Sequence, residues 1–303
     1  MKLLNDPFLN QLTNLFSLKA FRPDPFDMTA PLSVRFHNQP ILGVCIYPGA
    51  IKFAQISFGS SLSVKEIGIM SRKTGDDKEL VQLINAAHRE TGCCYALVGY
   101  NYGFNALKSF SIKRSENLWA QLKDNPAMVL GDDFENGHQY SLEHHPNRDV
   151  SIVFSYDANY STHLEKIFDH SEVEVVRLQH IIGSLFSEIC RKFNGLMDYP
   201  LIIMSGSSVF YLDIEGSSDR EWMLLRNRSE NPVNSSLEAK RQLNFVEQIL
   251  PREGNVLFYT DELNDADHWE DRIKEMRPEL NLVSALPKMQ NTQFDIFHTL
   301  AGN

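Results

Sequence analysis

The chain has 303 residues, of which 43% are hydrophobic and 22% charged, and its formal net charge is −10 at pH 7. This length and composition are typical of a globular protein that buries a large core and holds two subdomains. The acidic balance argues against a nucleic-acid-binding surface, which is normally basic. The cysteines match no metal-binding spacing, and a reducing, cytosolic location is the simpler interpretation of Cys45, Cys93, Cys94 and Cys190.

Residues 1–39 are predicted to form an extension that carries an amphipathic helix. The apolar residues that would share one side of this helix are Leu4, Phe8, Leu12, Leu15 and Phe16. Two uses of the helix stay open: packing on its own domain, or docking to a partner or a membrane surface. No apolar run reaches the roughly 18 residues of a membrane-spanning helix, and polar residues interrupt any signal-peptide core.

Residues 40–195 are predicted to form the first half of the fold. Apolar runs on either side of the turn Tyr47-Pro48-Gly49 indicate a hairpin, and a third strand, a helix and a fourth strand follow. Residues 99–147 are expected to be an inserted small subdomain, with a strand near 107–113, a helix near 118–123 and a polar stretch over 131–146. The expected elements after it are a strand at 150–155, a helix at 160–168, a strand at 173–178 and a helix at 180–193.

Residues 196–303 are predicted to repeat this plan. Three strands are expected at 201–204, 209–214 and 221–225, followed by a helix at 236–249, a strand at 255–259, a helix at 266–276, a strand at 280–284 and a helix near 292–300. Three strands followed by alternating helices and strands, occurring twice, correspond to a duplicated ribonuclease-H-like unit. The expected fold class is therefore α/β and actin-like.

The segment Ile41–Ile56 resembles the first phosphate loop of the actin and Hsp70-type ATPases, most closely that of the PilM group of pilus-assembly proteins. Gly43 and Lys52 stand in register with that pattern, and Gly49 lies in the turn. However, Cys45 replaces the family's Asp, and Tyr47 replaces its second Gly. Lys52 could still meet a phosphate, although an exposed strand lysine is the simpler interpretation.

The family's second phosphate loop would be residues 203–208. Gly206 and Ser207 match a turn whose backbone cradles a phosphate, but Met204 occupies the acidic position. The motif that closes over the adenosine reads Thr-Gly-Gly in the family, whereas Asp261 and Glu262 follow the threonine here and would repel an anionic ligand. The resemblance therefore implies a degenerate ATPase that is not an enzyme, with no bound cofactor and no metal.

The resemblance covers roughly residues 40–287 and is closest to the MshI type of mannose-sensitive haemagglutinin pilus systems. It implies a catalytically inactive scaffold of type IV pilus biogenesis, cytoplasmic and peripheral on the inner membrane. The implied partners are the cytoplasmic tail of a PilN-like bitopic membrane protein, the assembly ATPase and the platform protein. GspL-type secretion proteins share the fold but continue into a membrane span, which this sequence does not contain.

In the family, the tail lies in a groove on the first half, near the inserted subdomain. The predicted strand that contains Leu107, Phe110 and Ile112 could line this groove as an edge or apolar wall for an extended peptide. Packing of the same residues in the core explains them equally well.

Two other functions are considered. In the first, ATP and Mg²⁺ bind through the altered loops, and the nucleotide state regulates partner binding. The second is a sugar or acetate kinase of the actin fold, which needs a catalytic Asp and an intact phosphate loop.

A metal site is also conceivable at His144 and His145, since His138, Glu143 and Asp149 are near in sequence. The spacing fits no known pattern, and surface histidines in a polar loop are the better interpretation. For Trp222, core packing is expected rather than a ligand platform.

Overall fold

A computed structural model of the protein describes residues 30–47, 50–72, 76–101, 108–144, 149–192, 199–205, 208–212, 223–225, 244, 246–261, 269–285 and 295–301. The sequence-based predictions that lie outside these residues concern the amphipathic helix within 1–29, most of the helix at 236–249, and Gly49, Leu107, His145, Gly206, Ser207, Trp222 and Glu262.

The strands are β1 (Ile41–Tyr47), β2 (Ala50–Phe58), β3 (Leu62–Ser71), β4 (Tyr95–Tyr100), β5 (Lys108–Lys113), β6 (His138–His144), β7 (Val150–Asp157), β8 (Glu174–His180), β9 (Leu201–Ser205), β10 (Ser208–Leu212), β11 (Met223–Leu225), β12 (Gly254–Asp261) and β13 (Leu280–Ser284). The helices are α1 (Leu32–Arg35), α2 (Asp77–Thr91), α3 (Leu118–Asp124), α4 (Pro126–Leu130), α5 (Ala158–Phe168), α6 (Ile181–Lys192), α7 (Trp269–Met276) and α8 (Asp295–Ala301). Residues 131–133 form a short 3₁₀ turn, and residues 246–249 are helical.

The first sheet is five-stranded, with strand order β3-β2-β1-β4-β8. β1 pairs antiparallel with β2 and parallel with β4, and β4 pairs parallel with β8. Every residue of β1 is buried, because both faces of this central strand are covered. This explains the unbroken apolar run in the sequence.

The second sheet repeats the first, with strand order β11-β10-β9-β12-β13. Its β9–β10 pair is antiparallel, and its β9–β12 and β12–β13 pairs are parallel. The same strand order with the same directions in both sheets confirms the predicted duplication of a ribonuclease-H-like unit.

The third sheet is small, with strand order β5-β7-β6. Its central strand, β7, pairs antiparallel with both neighbours, so this sheet extends beyond the predicted end of the insertion at residue 147. β6 lies where the sequence predicted only a polar stretch. Its inward residues Tyr140 and Leu142 pack under α3 and α4 against Leu122, Leu130 and Val153. Histidines at the two ends of the same face conceal the apolar alternation.

Local sequence signals set the ends of α2. The Asp76 side chain accepts a hydrogen bond from the Glu79 N–H at 3.0 Å, and Gly92 ends the helix with φ 69°. A side chain at Gly92 would be strained in this left-handed conformation. Leu80 and Ile84 face the sheet, as their helical spacing predicts.

Residues 30–39 belong to the first half of the fold rather than to an extension. Leu32 and Phe36 are 2% and 0% exposed. The Phe36 ring lies 5.5 Å from the Tyr95 ring, and His37 forms a parallel bridge with Phe58. Polar residues interrupt the apolar pattern of this stretch, so the sequence did not indicate that Leu32 and Phe36 are buried.

The two halves share one apolar core, in which α6 and α8 lie between the first and second sheets. α8 belongs to the second half by chain order but packs on the first sheet. A Cβ added at Gly43 would lie 2.5 Å from the Phe297 ring, and one added at Gly99 would lie 3.0 Å from Leu300 Cδ1. These glycines therefore permit close approach of α8.

Three phenylalanines connect the small sheet, α6 and the second sheet around this shared core. Phe154 of β7 lies 5.2 Å from Phe186 of α6 and 6.1 Å from Phe210 of β10, measured between ring centroids. The Phe186 and Phe210 centroids are 6.4 Å apart. Aromatic pairs at such distances contribute about 0.5–1.5 kcal/mol each beyond the area they bury.

Candidate functional site

The candidate site lies at the carboxyl ends of the parallel strands, where ligands bind in open α/β sheets. In the first sheet these ends carry Tyr47, Tyr100 and His180, at the last positions of β1, β4 and β8. All three side chains are buried. The edge expected to face a nucleotide is therefore occupied by the protein's own rings.

Cys45, Tyr47 and Lys52 form a buried group on the face of β1 and β2 that points to the shared core. Cys45 and Lys52 are paired across the hairpin, and each of the three residues is 0% exposed. The Lys52 Nζ lies 5.4 Å from the centroid of the Tyr47 ring, within cation–π range.

The expectation of an exposed strand lysine is therefore wrong for Lys52. The alternation of β2 places Lys52 on the face that points to the shared core. Its neighbours Ile51 and Phe53 are buried on the opposite face, in a cluster with residues of α2 and α5. A run of apolar neighbours on both sides was the sequence signal that this position is not at the surface.

A second group of rings closes the ends of β4 and β8. The Tyr100 ring lies 5.3 Å from His180, nearly edge-on at 79°, and 5.4 Å from Tyr160 of α5. Burial raises the pKa of Tyr100 well above its ordinary value, with smaller effects from the charges of Tyr156 and Asp157. The Tyr100 hydroxyl is therefore neutral at physiological pH.

Backbone contacts hold these strand ends. The Ile182 N–H donates to His180 Nδ1 at 3.2 Å, where β8 turns into α6. The Asn101 N–H donates to the Ile46 carbonyl at 2.9 Å. His180 Nδ1 thus serves as an acceptor at the start of a helix. Sequence reasoning missed both Tyr100 and His180 as site candidates. Tyr100 directly ends the apolar strand β4, whereas His180 was assigned to the helix predicted at 180–193.

The second sheet provides an internal reference for the acidic position. The last pair of the first hairpin is Tyr47–Ala50, and that of the second is Ser205–Ser208. Counting back from these pairs, Cys45 corresponds to Ile203 rather than to Met204. Met204 packs on the opposite face, so its assignment to the acidic position is wrong by one residue, and the residue at this position is again apolar.

The end of β12 lies beside the end of β9. Thr260 pairs with Met204, and Asp261 pairs with Ser205, through the parallel backbone ladder. Asp261 is thus at the expected edge of the second sheet. By the same counting, Asp261 corresponds to Asn101, the residue that follows β4.

These residues do not fit the phosphates and Mg²⁺ of a nucleotide. Neither β1 nor β9 contains an Asp or Glu, whereas Mg²⁺ in phosphate sites is held by carboxylates. The buried Tyr47 side chain stands where the family has a glycine, and a glycine there lets the backbone approach a phosphate.

The histidines considered as metal ligands lie in β6. His138 Nδ1 is 2.7 Å from Ser155 Oγ, and His144 Nδ1 is 2.7 Å from Ser151 Oγ. His138 Nε2 also lies 3.1 Å from a Glu135 carboxylate oxygen. The prediction of a polar loop is wrong for these two histidines, whose hydroxyl partners lie on the neighbouring strand β7. Within the described ranges no group of three potential ligands could hold a metal ion.

The predicted peptide groove falls on β5. This strand is at one edge of the small sheet, where Phe110 pairs with Val153 through the backbone. The Ile112 side chain packs on the cluster that contains Leu122 and Leu130. Core packing accounts for Ile112. Among the described residues β5 pairs with β7 alone, and its other edge is the feature that an extended peptide could use.

Comparison with solved structures shows the fold. The structure resembles that of a PilM–PilN type IV pilus biogenesis complex with a TM-score of 0.53 and 13% identity, covering 86% of this chain and 97% of that one. It resembles the cytoplasmic domain of EpsL, an inner-membrane component of the Vibrio cholerae type II secretion system, with a TM-score of 0.51 and 11% identity, covering 87% and 95%.

No protein-family model matches the chain, and no curated protein sequence matches it. A protein of Bacteroides thetaiotaomicron with an actin-like ATPase fold is also similar, with a TM-score of 0.46, 10% identity, and 88% and 96% coverage. The chain has the actin-like fold. Among the helices of the described residues, none is both long and apolar enough to cross a membrane.

Proposed function

We propose that this protein is a non-catalytic, PilM-like scaffold of a type IV pilus or related secretion system. It lies on the cytoplasmic face of the inner membrane and binds the cytoplasmic tail of a PilN-like membrane protein. Its system is of the mannose-sensitive haemagglutinin type, and its further partners are the assembly ATPase and the platform protein.

The observation that carries this proposal is the buried group Cys45, Tyr47 and Lys52. All three side chains are fully buried, at the hairpin where an actin-like ATPase holds phosphates. Nucleotide binding there would require Tyr47 to leave the core, and exposing a side chain of this size costs roughly 2 kcal/mol or more. Without a carboxylate on β1 or β9, a bound phosphate would also lack a metal-positioning group.

The fold comparisons support the choice of partner. One similar structure is a PilM–PilN type IV pilus biogenesis complex, and the other is the cytoplasmic domain of EpsL, an inner-membrane component of a type II secretion system. Both cover at least 86% of this chain. An actin-like fold with a filled nucleotide edge fits a docking role in such an assembly better than a kinase role, which would need a catalytic Asp.

The first test is thermal unfolding with ATP and Mg²⁺. A ligand at 100 times its Kd stabilises a protein by about 2.7 kcal/mol, which raises the melting midpoint by roughly 5 °C for a chain of this size. We expect no shift with millimolar ATP and Mg²⁺ beyond the shift produced by Mg²⁺ with inorganic triphosphate. A saturable, ATP-specific shift would contradict the expected absence of nucleotide binding and support the nucleotide-regulated adaptor.

The second test is titration calorimetry with the amino-terminal cytoplasmic peptide of the PilN-like protein from the same genome. We expect saturable binding of this peptide and none of a scrambled peptide with equal composition. If neither peptide binds while ATP also gives no shift, the pilus assignment fails even though the absence of nucleotide binding stands.

A further inference from the structure

A groove runs along the outer edge of the first sheet, beside β8 and the end of α5. It encloses about 670 Å³, within the range of ligand pockets, which is roughly 300–1,000 Å³. Phe168, Val173 and Val176 lie at its base but are only 3%, 2% and 6% exposed, so the accessible lining is mainly polar. A preformed concave surface with a mainly polar lining is suited to binding polar and charged side chains of another molecule.

The backbone beside this groove is open for pairing. Within the part of the chain that the structure describes, β8 pairs only with β4 and stands last in the sheet. An edge strand presents unpaired N–H and C=O groups, which an extended segment can use to add a strand. The groove therefore combines a backbone template with space for side chains.

The rim of the groove is acidic. The exposed side chains of Glu165, Asp169 and Glu174 line it, and all three are carboxylates. Arg177 is the basic residue among the lining residues, and its guanidinium donates to the Leu300 carbonyl of α8 at 3.5 Å. An occupant with basic side chains complements this rim.

The shape of β8 argues against a second copy of the chain as occupant. The pairing with β4 shifts between Ala96 and Leu97, which leaves Val176 as an extra residue between Val175 and Arg177. Such a bulge twists the edge and prevents long, regular edge-to-edge pairing. A short segment can pair on one side of the bulge, whereas a full strand from another copy cannot.

We propose that this groove binds a short, extended, basic segment of a partner protein, which adds to the edge of the first sheet at β8. The surface is distinct from the small sheet, near which the membrane-protein tail is expected to bind. α5 begins directly after β7 of the small sheet, and the groove lies at the opposite end of this helix. The 11 residues of α5 separate the small sheet from the groove by about 16 Å. The proposed scaffold function does not depend on this second surface.

The test uses a fluorescently labelled synthetic peptide of roughly six residues, the usual length of a strand, in which Val and Lys alternate. Fluorescence anisotropy with the full chain is expected to show saturable binding below about 1 mM that weakens as salt rises. A peptide with Glu in place of Lys is expected to bind at least about tenfold more weakly, since it repels the acidic rim.

Two protein variants locate the binding. The variant Glu165→Gln/Asp169→Asn/Glu174→Gln is expected to lose at least about tenfold in affinity. The charge-matched control Glu116→Gln/Asp132→Asn/Asp133→Asn changes three exposed carboxylates of the small subdomain and is expected to bind like the unaltered protein. Circular dichroism is used to check that both variants are folded.

Backbone pairing is tested separately by N-methylating alternate residues of the peptide. Since only one edge of an added strand faces β8, methylation in one phase is expected to abolish binding, and methylation in the other phase is expected to preserve it. The proposal is overturned if the Val-Lys peptide shows no saturable binding, if both triple variants weaken it equally, or if the two methylation phases act alike.

Discussion

The two large sheets have the same strand order, yet they fill their first hairpins differently. Cys45 and Lys52 of the first sheet correspond to Ile203 and Phe210 of the second, by counting from the last pair of each hairpin. All four are buried. A single backbone plan thus accepts a polar pair in one half and an apolar pair in the other.

The two sheets also differ in residue size around the hairpins. Gly43 corresponds to Leu201, and Gly99, which pairs with Cys45, corresponds to Tyr259, which pairs with Ile203. The glycines lie under α8, whereas the larger residues fill the equivalent space in the second sheet. Duplication repeats strand order, while side-chain volume follows the helix that each sheet must accommodate.

Truncation of Phe210 and of Lys52 measures how strongly each half depends on the filling of its first hairpin. We expect Phe210→Ala to lower the free energy of unfolding by about 4 kcal/mol, since it removes a ring from the contact with Phe154 and Phe186. We expect Lys52→Ala to cost about 2 kcal/mol, because its buried stem leaves a cavity. Urea unfolding measures both. Lys65→Ala, at an exposed position of β3, is the control and should change little; if Lys52→Ala is equally mild, Lys52 is not buried.

The glycine difference is tested by Gly43→Ala. The added methyl group would lie 2.5 Å from the Phe297 ring, so we expect a loss of about 2 kcal/mol in the free energy of unfolding from overpacking. Gly59→Ala is the matched control, because a Cβ there would have no neighbour within 4 Å, and its effect should stay within about 0.5 kcal/mol. Equal effects of the two substitutions would show that α8 does not pack closely on β1.

The smallest expected effect concerns pH. Burial raises the pKa of Tyr100 in the folded protein, so its stabilising effect is complete below about pH 10, the ordinary tyrosine pKa, and is lost as pH rises above that value. Between pH 8 and pH 11, the free energy of unfolding of the unaltered protein should fall by about 1 kcal/mol more than that of Tyr100→Phe. Parallel pH profiles would indicate a hydroxyl in contact with water. Burial also raises the pKa values of Tyr156 and Cys93. Their effect on stability has the same direction in the unaltered protein and in Tyr100→Phe, so the difference between the two proteins reports on Tyr100.

Much of the fold could be predicted from element order. Long amphipathic helices such as α2 have strong periodicity, and buried strands such as β1 are unbroken apolar runs. The repeated order of these elements identified the duplicated plan. β6 was missed because its partly buried Tyr140 and Leu142 are flanked on the same face by His138 and His144 rather than by further apolar residues. Long-range pairing with β7, rather than local propensity, makes this segment a strand.

The candidate site was predicted less completely. The altered motif residues Cys45 and Tyr47 could be recognised from their positions in a known pattern, but burial of Lys52 could not. Charge suggests exposure, and only the pairing of β2 with β1 shows which face Lys52 occupies. The offset at Met204 arose because one residue of register moves a side chain to the opposite face of a strand.

The position of α8 has a consequence for the order of events on the ribosome. The face of the first sheet that carries Gly43 and Gly99 is covered by Phe297 and Leu300. During synthesis from the N-terminus, this face stays without its cover until residues 295–301 leave the exit tunnel. The nascent first half therefore exposes apolar surface while almost the whole of the second half is translated. A chaperone would find a binding site on this surface during that period.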